Sequence, residues 1–220
     1  MSADAQRPVL VIGLGRFGSA VATTLHRTRH EVLGIDADPE RVREHKDILT
    51  QVVEADATDP QVLRQLGAAD FGTAVVAIGS NIEASLLAVL ALVDLGLPNI
   101  WAKANTDRHG RILERTGAHH VVFPERRMGE RVAHLLNERL LDFISFDGEF
   151  AIARLKSPQS IACLPLVTSQ CRAKHGITVV GVKRTGEDFI HATPDTIIMP
   201  DDELVVSGRV RDIERFSAID

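Results

Sequence analysis

Cysteine is scarce in this chain: Cys163 and Cys171 are the two among 220 residues, and no histidine pairs them at the spacing of a zinc site. A disulfide framework and a zinc knuckle are therefore excluded, and both thiols are expected to be reduced and packed in the core. Long apolar runs are missing too. LLAVLALV, from Leu86 to Val93, lies between Ser85 and Asp94 and is far too short to cross a bilayer. The opening MSADAQRP carries an early acid and leads into a strand-like segment, so no export signal is expected and the cytoplasm is the expected compartment. Charge of one sign is nowhere concentrated: 25 basic and 30 acidic residues give a net charge of −5. That balance argues against a nucleic-acid partner, while leaving room for local basic sites that hold small anions. There is no nucleophile elbow, no H-E-x-x-H pair, no phosphate loop of the G-x-x-x-x-G-K type, no internal repeat and no low-complexity stretch.

What remains is a chain with 45% apolar residues, enough to bury a proper core. From Val9 to about Phe123, short β-branched runs alternate with longer segments of helical period, the rhythm of a parallel α/β sheet. Strands are expected at 9–13, 31–36, 51–56, 74–79, 99–104 and 119–124. Helices are expected to begin near Arg16, Pro39, Pro60, Asn81 and Asp107, with Asp38, Asp59 and Thr106 as caps. In such a doubly wound sheet the ligand crevice lies at the carboxyl ends of the strands. After Pro124, the apolar residues Met128, Val132, Leu135, Leu136, Leu140 and Phe143 recur at helical spacing, which predicts one long amphipathic helix. Its stripe either packs on the chain's own sheet or docks on another subunit. From Ile144 the rhythm becomes short strands and hairpins, a small α+β domain. The expected division is 1–125, 126–143 and 144–220.

The stretch VLVIGLGRFGSAV, Val9 to Val21, carries the chemistry. Gly13, Gly15 and Gly18 fit G-x-G-x-x-G directly after a strand and at the start of a helix, where the glycines permit a tight turn, close phosphate approach and helix-to-strand packing. The helix N-terminus adds unpaired N–H groups and a positive dipole end. Asp36 ends the second strand, where an acid accepts hydrogen bonds from ribose hydroxyls; Asp38 either shares that role or only caps the Pro39 helix. Phe17 is a packing residue or a base-stacking one, and Arg16 stands where its guanidinium could swing over phosphates. Asp56, Ile78 to Asn81 with Gly79 between them, Lys103 and Glu125 follow later strands and converge on the same crevice. His119 and His120, adjacent on a strand, point to opposite faces and cannot easily share a metal ion.

A dinucleotide-dependent oxidoreductase needs a substrate surface with an acid or base near the nicotinamide. Here one helix and a compact module follow the sheet, and neither His175 nor His191 has an acidic partner at a suggestive spacing, so an enzyme is not expected.

VIGLGRFGSAVA, GIDADPERV, ADATD, VVAIGSNIEASLLAVLAL, IWAKA, PERRMGERVAHLL and DDELVVSGRVRDIERF together resemble the RCK (KTN) family of the KtrA/TrkA type, over nearly the whole chain. The resemblance implies a regulatory subunit that binds ATP and ADP, or NAD(H), and forms dimers often assembled into an octameric ring. It would pass ligand state to a membrane potassium channel or transporter, or to a cation/proton antiporter, from the inner face of the membrane. By resemblance, Gly13, Gly15 and Gly18 hold phosphates, Arg16 meets the terminal phosphate, Asp36 holds ribose, and Asp56 with Ala57 lies by the adenine. Lys103 would lie by the phosphates and Glu125 beside a divalent or monovalent cation. The helix after Pro124 would be the family's crossover helix. The C-terminal domain of relatives can bind cyclic di-AMP; Leu166 and Val167 would form its apolar wall and Arg172-Ala173 the phosphate-facing pair. Thr168, Ser169 and Gln170 depart from the pattern there. A gating sensor, an NAD-dependent oxidoreductase and a stand-alone binding module remain the three classes.

Overall fold

A computed structural model describes residues 8–136, 139–146 and 148–219, and the chain divides into two compact units, 1–125 and 126–220. The first unit alternates strand and helix: β1 (Val9–Ile12), α1 (Arg16–Arg27), β2 (Val32–Asp36), α2 (Pro39–His45), β3 (Gln51–Glu54), α3 (Pro60–Gln65), β4 (Thr73–Val76), α4 (Ile82–Asp94), β5 (Ile100–Lys103), α5 (Asp107–Thr116) and β6 (His120–Val122). Among the described residues these strands form one six-stranded parallel sheet in the order β3-β2-β1-β4-β5-β6. Successive side chains of a strand face opposite ways, so Leu10 and Ile12 enter one apolar layer with Leu33, Ile35 and Val76, while Val9 and Val11 enter the other with Val32, Leu14 and Ala22. Both faces are covered, which is why β1 and β2 are buried along their whole length. The chain winds outward from β1 in both directions, so the strand order reverses between β1 and β4 and leaves a crevice at their carboxyl ends.

Local chemistry fixes the helix starts. Asp38, Asp59, Asn81 and Thr106 each accept a first-turn backbone N–H, of Glu40, Gln61, Ala84 and His109 respectively, and Pro39 and Pro60 occupy positions that need no donor. β3 stops at Glu54 rather than Asp56, because the Asp56 carboxylate turns to accept from the Thr58 N–H and hydroxyl.

The second unit contains α6 (Pro124–Leu135, from its third residue on), β7 (Leu140–Ser145), β8 (Phe150–Lys156), α7 (Leu166–Ser169), α8 (Cys171–His175), β9 (Ile177–Lys183), β10 (Ile190–His191), β11 (Glu203–Arg209) and α9 (Val210–Ser217). Its described strands form an antiparallel sheet in the order β10-β9-β11-β8-β7. Ala151, Ala153 and Leu155 alternate inward on β8, as Leu204 and Val206 do on β11, and Ile213 and Phe216 of α9 complete that core. The expected helix through residue 143 is corrected here: α6 ends at Leu135, Leu140 to Phe143 belong to β7, and residues 137 and 138 lie outside the described residues. The error has a physical source. Leu140 pairs with Leu155 and Asp142 with Arg154, so Leu141 is an extra residue in the ladder. That bulge turns Leu140 and Phe143 to the same face at a separation that imitates a helix. A second correction concerns Cys163, which is exposed and has a left-handed backbone (φ 62°), whereas Cys171 is buried.

Candidate functional site

The crevice above β1 and β4 is a cleft of about 600 Å³, in the range of small-molecule sites. Its floor is the glycine turn. Gly13 adopts φ +91°, a conformation that side chains rarely take, and its N–H continues the β1–β2 ladder by donating to the Ile35 carbonyl at 2.8 Å. Gly18 lies under that turn, where an added Cβ would stand 1.8 Å from the Gly13 carbonyl oxygen, so α1 crosses the turn at a distance only glycine permits. Gly15 differs: a Cβ there would meet only the Arg41 guanidinium at 3.8 Å, and the open space is the cleft itself.

The helices of this unit also differ in one respect. α2 to α5 have side-chain caps, whereas α1 begins at Gly15 with no side-chain cap and no acid in its first turn. The first N–H groups of α1 therefore face the cleft without a side-chain acceptor, at the positive end of the helix dipole. That is the electrostatic form of an anion site.

Cations and acids are sorted around this floor. At one end, the Lys103 ammonium bonds the Glu125 carboxylate at 2.5 Å, with Arg16 close enough to act on the same carboxylate. The Lys103 hydrogen bond, followed by a bond from Glu125's own backbone N–H and then the charges of Lys103 and Arg16, holds Glu125 below the usual glutamate range against the opposing effect of burial. Asn105 donates to the Gly79 carbonyl beside them. At the other end, the buried Asp36 accepts from the N–H of Leu14 at 2.6 Å and of Asp38 at 2.9 Å, and the Arg41 guanidinium lies 3.4 Å away. Asp56 is held acidic first by the Thr58 N–H and then by the Thr58 hydroxyl.

Of the residues expected from sequence, Gly13, Gly15, Arg16, Phe17, Asp36, Asp56, Ala57, Ile78, Gly79, Lys103 and Glu125 line this cleft. Gly18, Asp38 and Asn81 do not. Gly18 lies beneath the turn, Asp38 caps α2 and meets Arg41 at 3.5 Å, and Asn81 caps α4. The structure adds Arg41, Thr58 and Asn105. In the second unit, Leu166 packs against the core, Val167 is exposed, and the exposed Arg172, next to Ala173, donates to the Thr178 hydroxyl at 3.1 Å.

Glycine turn, uncapped helix and sorted charges define a Rossmann-type domain with a nucleotide-shaped cleft, followed by a small antiparallel domain. Residues 9–124 match the TrkA-N domain model and residues 151–219 the TrkA-C domain model, so the chain belongs to the RCK (KTN) family of the KtrA/TrkA type. It is 39% identical over 207 residues to "Ktr system potassium uptake protein A" of Bacillus subtilis, covering 94% of this chain and 93% of that one. With "Ktr system potassium uptake protein C" of the same organism it shares 38%, covering 94% of each. Among solved structures, the GsuK RCK domain superposes with a TM-score of 0.66 at 20% identity over 99% of this chain, which spans 49% of that one. A GsuK channel bound to NAD gives a TM-score of 0.64 at 20% identity over 98% of this chain, which spans 40% of that one.

Proposed function

We propose that this chain is a nucleotide-sensing regulatory subunit of a membrane potassium channel or transporter, and that ATP or ADP, with NAD(H) as the competing ligand, occupies the cleft. The observation that carries the reading is the uncapped α1 N-terminus over Gly13 and Gly15, flanked by Arg16 and Lys103 at one end and by Asp36 and Asp56 at the other. Anionic phosphates are attracted to the N–H groups and cations, and sugar hydroxyls and an exocyclic amine to the carboxylates. The naming of the Ktr relatives as potassium uptake proteins and the NAD-bound GsuK channel support the reading. Gly13, Gly15, Arg16 and Lys103 serve the phosphates, Asp36 the ribose, and Asp56 with Ala57 the base. Glu125 is the carboxylate available to a cation. Among the described residues no three metal-ligating side chains gather, so phosphate oxygens would have to complete its shell.

Regulation follows as a population shift: the subunit passes on only the difference in affinity between its conformations for each nucleotide. α6 has no buried residue, and its exposed Met128 and Val132, with the exposed Leu136 just after it, favour docking onto a second copy, as a dimer or ring. No helix among the described residues is long and apolar enough to cross a membrane; the naming of the Ktr relatives as potassium uptake proteins supports a membrane role through a partner. The C-terminal domain is the place for cyclic di-AMP, through Leu166, Val167, Arg172 and Ala173.

A thermal-shift panel of ATP, ADP, NAD+, NADH and cyclic di-AMP, with and without magnesium, tests the reading, because a ligand raises apparent stability according to its concentration over its Kd. Stabilisation by ADP or ATP that disappears in Asp36→Ala is the expected result. Stabilisation by NADH alone, joined to turnover of an oxo-substrate, overturns it.

A further inference from the structure

The geometry points to Ser19 and His45 as a positioning pair that clasps the two halves of the cleft together from outside it. His45 is the buried residue of α2, 5% exposed, and it sits at that helix's end. Its Nδ1 lies 2.7 Å from the Arg41 carbonyl oxygen and its Nε2 lies 2.5 Å from the Ser19 hydroxyl. A carbonyl only accepts, so Nδ1 carries the proton, and in the neutral ring Nε2 is then bare and accepts from Ser19. One neutral tautomer satisfies both bonds. Neither residue lines the cleft, so the pair is not a nucleophile and its base.

What it joins gives it purpose. Ser19 follows Arg16, Phe17 and Gly18 in the first turns of α1 and donates its N–H to the Gly15 carbonyl at 2.8 Å, so it moves with the phosphate-facing turn. His45 stands one turn after Arg41, whose guanidinium reaches Asp36 at 3.4 Å, Asp38 at 3.5 Å and the space over Gly15. α2 has only seven residues, too short to be stable by itself, and the side chains that tie it to the rest of the unit include Arg41, at Asp36, and His45, at Ser19. The clasp therefore sets the distance between Arg41 and the glycine turn, and with it the geometry that a nucleotide's ribose and phosphates must meet together.

This proposal rests on the cleft being an adenine-nucleotide site. The test is calorimetric titration of the full chain with ADP, well below its melting temperature, for wild type, Ser19→Ala, His45→Leu, His45→Gln and Asp36→Ala. Loss of the one hydrogen bond in Ser19→Ala is expected to weaken ADP binding about three- to tenfold. His45→Leu should weaken it at least as much, whereas His45→Gln, which returns an acceptor to Ser19, stays within about twofold. In an Arg41→Ala background Ser19→Ala should cost nothing further, because the clasp acts through that residue. Alanine is a good helix former at position 19, so this variant remains informative even if His45→Leu fails to fold. Wild-type affinity in Ser19→Ala, or an undiminished effect in the Arg41→Ala background, overturns the clasp while leaving the cleft reading intact, provided Asp36→Ala loses ADP. A wild type that binds no ADP removes both.

Discussion

Gly18→Ala puts the floor of the cleft to a quantitative test. The new methyl would stand 1.8 Å from the Gly13 carbonyl oxygen and 2.9 Å from the Ala77 Cβ, both parts of rigid backbone or core rather than a flexible side chain. Carbon and oxygen approach to no less than about 3.3 Å, so α1 must retreat from the turn by roughly 1.5 Å. Such overpacking costs about 1–3 kcal/mol, and backbone on both sides places this site at or above the upper end. For a unit of this size that is a fall in Tm of roughly 5–15 °C. The same retreat carries the first N–H groups of α1 beyond hydrogen-bond range of anything seated over Gly13 and Gly15, and loss of one charge-assisted bond is about tenfold or more in affinity. Scanning calorimetry without ligand and titration with ADP read the two effects separately. Gly129→Ala is the control: nothing lies within 4 Å of an added Cβ in α6, so it should be neutral or stabilising. A Gly18→Ala protein with wild-type Tm and wild-type ADP affinity would refute the close approach and the role built on it.

The proposed role of Arg16 at the terminal phosphate predicts that Arg16→Ala weakens ATP about tenfold and ADP by less; equal losses in paired titrations would place it elsewhere. Lys103→Met removes the largest cause of Glu125 acidity, so a carboxyl NMR titration should find the Glu125 midpoint below the usual 4.5 in wild type and moved toward it in the variant. His109 is 1% exposed with neither ring nitrogen bonded, and burial lowers its pKa below the usual 6.5. The unfolded chain then takes up the proton first, so stability is full above pH 6.5 and falls as pH drops from there toward the folded pKa. His109→Leu should flatten that part of the denaturation profile, and an unchanged acid slope would refute the assignment.

The sheet and its cleft were legible because their causes are local or periodic. Val9 to Ile12 is a continuous apolar run of the kind that fills a strand covered on both faces, and Asp38, Asp59 and Thr106 act on N–H groups two or three residues away. Gly13 and Gly15 announced the turn by spacing alone. Arg41 gave no signal, since it reaches the cleft only because α2 is laid beside Asp36 by the sheet. Ser19 and His45 are 26 residues apart and meet through the same tertiary arrangement. The bulge at Leu141 was hidden for a different reason: it reproduces helical spacing with strand geometry. Cys163 escaped because composition does not record which of two thiols the fold leaves exposed.

The central claim is that an adenine nucleotide sits across β1 and β4 with its phosphates on the uncapped end of α1. A crystal structure of the chain grown with ADP measures this directly. The account predicts density for phosphates against the N–H groups of α1 beside Gly13, Gly15 and Arg16, with the ribose at Asp36 and the base by Asp56. Density for ADP in the second unit with that cleft left empty, or none anywhere at saturating ADP, would contradict it.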